Sequence, residues 1–132
     1  MENLQKYIEY WRVSSERDWQ TAEGLFKIGR YDSCLFFCHL AIEKSLKSLI
    51  VQETEEEAPY AHDLAYLIGK AGLRIDEQDL ELLRTVSSFN IAGRYDDDKF
   101  TFYKRCTKAY TQEYLEKSQR IIIWLREQYR PL

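Results

Sequence analysis

The sequence predicts an all-α protein, an antiparallel up-and-down four-helix bundle with one additional short helix. Three observations carry that expectation. Apolar residues recur three and four positions apart through most of the chain, the period of a helix with one buried face. Only five Gly and two Pro interrupt 132 residues, too few for the many turns of a β-sandwich. The breaks they mark are brief, and short connections make consecutive helices antiparallel neighbours. The length suits one core, so residues 1–132 are read as a single domain.

The first helix spans Leu4 to Ile28, with Leu4, Ile8, Trp11, Trp19, Ala22 and Leu25 or Phe26 on one face. Gly29 follows the last periodic residue, where a left-handed C-cap forms most easily, and Asp32 offers an acceptor to the next helix start. A second helix, Asp32 to Gln52, is apolar around most of its surface and should be the central one. Glu53-Thr54-Glu55-Glu56-Glu57 leads to Pro59 and reads as an exposed acidic loop. A short helix from Asp63 to Ala71 ends at Gly72, and another runs from Asp76 to Asn90. Ile91 to Asp98, with a Gly and three consecutive Asp, reads as a loop. The last helix carries Tyr103, Cys106, Tyr110, Tyr114, Ser118, Ile121 and Leu125 on one face, and Pro131 closes it.

Bulk charge narrows the partners. The net charge of -3 argues against a protein that coats nucleic acid, which would be strongly basic. The charge is unevenly spread: residues 1–98 hold 11 Lys/Arg against 19 Asp/Glu, whereas residues 99–132 hold 8 against 3. No apolar run approaches the roughly 20 residues of a membrane span, and no signal peptide opens the chain. Three cysteines without framework spacing point to a reducing cytoplasm.

Signatures of common enzyme chemistry are missing: no phosphate loop, dinucleotide fingerprint, nucleophile elbow or zinc-protease pair. Cys34 and Cys38 lie on the core stripe of their helix, and His39 points about 100° away from Cys38. No metal site, cofactor or catalytic residue is therefore assigned. The remaining candidates are polar residues at unusual places. Glu43, Lys44 and Lys47 interrupt an apolar helix, either as its one solvated strip or as a functional group. His62 precedes a helix start, where capping competes with ligand binding. Arg94-Tyr95 combines a guanidinium fork that can hold phosphate with a ring that can stack, unless Arg94 pairs with Asp96 to Asp98.

These residues occur in a recognisable order. Asp18, Ala22, Leu25 and Gly29-Arg30-Tyr31 are followed by Ala41-Ile42-Glu43-Lys44-Ser45-Leu46-Lys47, then His62-Asp63-Leu64, then Arg94-Tyr95-Asp96. The arrangement resembles a HEPN domain (higher eukaryotes and prokaryotes nucleotide-binding) from about Ser15 to Trp124. The resemblance implies a helical bundle that commonly dimerises. It also implies a small bacterial or archaeal protein often produced beside a minimal nucleotidyltransferase, in pairs of toxin–antitoxin type. Other members are metal-independent RNase toxins, which carry an Arg, four to six intervening residues and a His. Here neither His39 nor His62 has an Arg five to seven positions earlier, and no His follows Arg94. Without an imidazole beside that Arg, no group suited to proton transfer at neutral pH stands there.

The resemblance therefore implies a homodimeric, non-catalytic subunit binding a nucleotide or other phosphorylated small molecule through Lys44, Lys47, His62, Arg94 and Tyr95. RNA is a less favoured ligand. An RNase with a degenerate site and a purely structural interaction protein are the alternatives. An Arg94→Ala protein is expected to fold normally and to lose ligand or partner binding; unchanged binding removes Arg94 from the site.

Overall fold

Gly29 and Gly72 end two helices in the same way, and both need the left-handed backbone that glycine adopts without strain. Each has a positive φ, 77° and 70°. At the first, Arg30 N–H donates to Leu25 O (2.8 Å) and Gly29 N–H to Phe26 O (3.1 Å); at the second, Leu73 and Gly72 donate to Ile68 and Gly69. These paired bonds are Schellman caps, which satisfy carbonyls the helix leaves open and turn the chain back on itself. The computed structural model describes residues 3–92 and 96–132, without the side chains at 91, 92 and 96–98.

Among the described residues there are six helices and no strand: α1 (Leu4–Lys27), α2 (Tyr31–Thr54), α3 (Leu64–Lys70), α4 (Glu77–Ala92), α5 (Asp96–Arg105) and α6 (Lys108–Glu127). The four long helices form the expected all-α bundle. Side-chain pairs give its directions. Arg12 bonds Gln52 and Asp18 meets Lys44, so α1 and α2 are antiparallel. Glu16 meets Arg126 and Arg12 reaches Arg130 O, which sets α1 against α6. Asp79 meets Arg120 and Phe89 meets Tyr114, which sets α4 against α6.

The central place of α2 follows from its composition. Fourteen of its 24 residues are buried, and it packs against all five other helices. Leu35, Ile42, Leu46, Leu49 and Ile50 fill the core with Leu64, Leu67, Leu83, Phe89, Ile121 and Ile122. The carboxy-terminal residues close over one end: Tyr129 OH lies 2.6 Å from Ser45 Oγ, and Gln52 accepts from Arg12 and from Arg130 N–H.

Four local expectations are corrected. Asp96 to Asp98 open α5 instead of belonging to a loop, since Asp is favourable at a helix amino end. The last helix is two helices, because Thr107 adopts an extended conformation and its hydroxyl accepts from Tyr110 N–H, the geometry of an N-cap. That break turns Tyr103 away from the core, to 64% exposure, while Tyr110 and Tyr114 keep contact with it. At the start of α2, Asp32 is already inside the helix, and Arg30 occupies the N-cap without a side-chain bond. Arg94 and Tyr95 lie outside the described residues.

Phe89 is fully buried and stacks near Phe102 and Tyr114, with ring centroids 5.4 and 5.5 Å away. Phe89→Ala is expected to lower stability by about 3–5 kcal/mol, and Thr107→Ala by about 1 kcal/mol, each measured by urea unfolding. A Thr107→Ala protein as stable as the parent would show that the α5–α6 break does not depend on its cap.

Candidate functional site

His39, Glu43 and Lys47 stand four residues apart on α2, so a single face of a helix in the core carries three polar groups. Glu43 is 4% exposed, Lys47 is 5% and His39 is completely buried. The reading of Glu43 and Lys47 as part of a solvated strip is thus overturned: α2 is covered on that side as well. Buried charge is tolerated where each group finds a partner, and here it does.

Glu43 is the centre of the network. Its Oε2 lies 3.2 Å from Lys47 Nζ, and its Oε1 accepts from His62 Nδ1 at 2.9 Å. His39 Nε2 donates to the carbonyl of His62 at 2.9 Å and stands 3.6 Å from Glu43 Oε1. A carbonyl can only accept, so that bond assigns the proton to Nε2 of His39. Lys47 also sits over the Trp11 ring, 5.3 Å from its centroid, which joins α1 to the group. His62 is therefore held by side chain and backbone alike, although it belongs to the connection between α2 and α3.

The capping role considered for His62 falls to its neighbour. Asp63 is the N-cap of α3, accepting from Ala65 N and Tyr66 N. His62 instead stands at the edge of the network, with about a third of its side chain exposed. It lines a cleft of about 450 Å³ with Asp63, Arg84, Ser87, Ser88 and Asn90. Ser87 Oγ accepts from Leu64 N–H at 2.9 Å, which ties α4 to the start of α3 and forms one wall. A larger groove, about 580 Å³, runs between the start of α4 and α6. It contains none of the sequence-predicted residues, and its Arg120 is engaged by Asp79 through two bonds.

The predicted residues thus separate. Lys47 and His62 share Glu43. Lys44 points elsewhere, to Asp18 on α1 at 2.7 Å, with both side chains mostly covered. Arg94 and Tyr95 lie outside the described residues; in sequence they follow Asn90 by four and five positions. Arg84, Ser87, Ser88 and Asn90 do not stand out in the sequence. The spacing of Arg84, Ser87 and Ser88, three and four apart, is a usable signal, but nothing in the sequence aims that face at His62.

Among the described residues no group of three or more His, Cys, Asp or Glu is arranged to hold a metal ion. No helix among them is long and apolar enough to cross a membrane. The thiols of Cys34, Cys38 and Cys106 are buried. A hydrogen bond with Cys34 and burial raise the Cys38 thiol well above its ordinary range. Burial pushes the Cys106 thiol up to about 12. Neither is suited to act as a nucleophile.

A family model of the HEPN domain matches residues 8–128, and the chain belongs to the HEPN family. Two solved structures share the fold. TT1696 from Thermus thermophilus superposes with a TM-score of 0.76 at 19% identity, over 98% of this chain and 100% of that one. ST0689, described as an archaeal HEPN homologue, superposes with a TM-score of 0.69 at 21% identity, over 97% and 98%. No curated protein matches the chain.

Two outcomes are expected from this geometry. Lys47→Met leaves Glu43 buried without its cation and should cost about 3–5 kcal/mol in urea unfolding, with much of the loss restored in a Glu43→Gln/Lys47→Met double variant. Cys106 keeps its proton when folded at pH values where the unfolded thiol loses it. The unfolded chain then binds fewer protons, so its contribution to stability declines as pH rises from roughly 9 towards 12. A Cys106→Ser protein, compared with the parent over that range, should lack this component.

Proposed function

We propose that this chain is a non-catalytic HEPN subunit that binds a nucleotide or other phosphorylated small molecule and presents it to a minimal nucleotidyltransferase. On this reading it acts as a homodimer in a pair of toxin–antitoxin type. The observation that carries the reading is the placement of His62: Glu43 holds its Nδ1 at 2.9 Å, and the ring lines a cleft with Arg84 and two serines. A fixed imidazole, a guanidinium and a serine hydroxyl are groups that recognise phosphate oxygens.

Within this reading the five residues named from sequence have different parts. His62 contacts the ligand, and Lys47 keeps Glu43 in place beneath it. Lys44 secures the α1–α2 seam through Asp18. Arg94 adds positive charge, and Tyr95 a stacking surface for a base.

Affinity purification from the native cell, with mass spectrometry of proteins and small molecules, tests the proposal. The expected result is a co-purifying nucleotidyltransferase together with a phosphorylated compound. Reproducible cleavage of total RNA by the purified protein without metal, lost in Arg94→Ala, would replace this reading with that of an RNase. Salt-sensitive capture of a protein partner with no nucleotide involved would replace it with that of a structural interaction protein.

A further inference from the structure

The His62 cleft lies over a buried ion pair that His62 joins through Nδ1. With His62 neutral, the Glu43 carboxylate and the Lys47 ammonium cancel; with His62 protonated, the same buried group carries one positive charge. The groups around His62 come from three elements. From α2 there are Glu43, Lys47 and His39, whose Nε2 bonds the His62 carbonyl. From its own connection there are Tyr60, edge-on at 5.7 Å, and Asp63, whose Oδ1 accepts the first N–H groups of α3. Across the cleft α4 supplies Arg84, Ser87, Ser88 and Asn90.

Arg84, Ser87 and His62 can each donate to an oxyanion. Arg84 is paired with Glu81, but both side chains are more than half exposed, and such a pair is readily exchanged for a ligand. Ser87 accepts from Leu64 N–H, and among the described residues its own hydroxyl proton has no acceptor. Ser88 does not have this freedom, because its hydroxyl already donates to Thr85 O. Nδ1 of His62 carries the proton shared with Glu43, so a second proton enters at Nε2 and leaves both ring nitrogens as donors.

Resting on the reading of the chain as a phosphate-ligand subunit, we propose that this cleft is an oxyanion seat for a phosphate monoester. His62, Arg84 and Ser87 grip the anion, and its arrival is accompanied by uptake of one proton at His62. Glu43 is a positioning residue that turns the ring and accepts from Nδ1. Affinity and protonation are then reciprocal: the anion favours the imidazolium, and rising pH weakens the anion's hold.

Calorimetry with sulfate, which stays a dianion across the range used, tests the linkage because any pH dependence then belongs to the protein. Titrations in two buffers of different ionisation heat should give about one proton taken up per sulfate. Affinity should fall as pH rises, by up to about tenfold per unit. The chain has two histidines, so proton NMR can follow His62 and check that each variant is folded. His62→Gln should abolish proton uptake and weaken both sulfate and AMP. Arg84→Gln, which leaves the buried network untouched, should weaken both while keeping proton uptake. Proton uptake unchanged in His62→Gln, or full affinity in Arg84→Gln, overturns the seat. AMP binding that survives both substitutions but is lost in Arg94→Ala overturns the seat and leaves the binding-subunit reading standing. Failure of every phosphorylated compound to bind, with no nucleotidyltransferase co-purifying, overturns both.

Discussion

The two oxygens of Glu43 accept from Lys47 and His62 on a helix that has most of its residues buried. A central helix normally meets that constraint by being apolar, since an unpaired charge withdrawn from water costs several kcal/mol. α2 meets it by making its polar groups each other's partners. The consequence reaches beyond α2, because Lys47 also touches Trp11 on α1 and His62 belongs to the chain leading into α3. Three elements are therefore set by a single carboxylate.

The outer helices are placed by weaker but numerous ties. Ser15 on α1 donates to Ala41 O of α2 at 2.6 Å, and Gln52 gathers Arg12, Arg130 and the carbonyl of Gln128 at the far end. Such side-chain bonds do little to hold the bundle against the entropy of the unfolded chain; apolar burial around α2 does that. What they specify is register. An apolar helix face can slide along another by a turn, but Ser15, Asp18 and Arg12 find their partners in only one alignment.

Much of this is legible in the residues themselves. The all-α class, the central place of Asp32 to Gln52 and the caps at Gly29 and Gly72 follow from periodicity and backbone chemistry, which are local. The misplaced elements share a cause. The stripe from Tyr103 to Leu125 keeps its spacing across Thr107, so periodicity alone runs through the break that the threonine hydroxyl creates. Gly93 ahead of Asp96 to Asp98 suggests a loop, although acidic residues also favour a helix start. The candidate site is half legible: Glu43, Lys47 and His62 stand out as polar residues in apolar or terminal settings, while Arg84 and Ser87 look like ordinary exposed helix residues.

The sequence by itself determined the family, the helical bundle and which residues were unusual, because those properties depend on residue type and spacing along the chain. It also determined that no Arg and His have the spacing of the RNase motif. Only the tertiary structure decided what the unusual residues do. Lys44 and Lys47 are three positions apart on one helix, yet one closes a seam with Asp18 and the other balances Glu43. His62 joins residues 19 and 23 positions earlier in the chain, and α4 brings Arg84 and Ser87 to the same cleft. Those meetings depend on how helices cross in space, and no periodicity within a single helix encodes them.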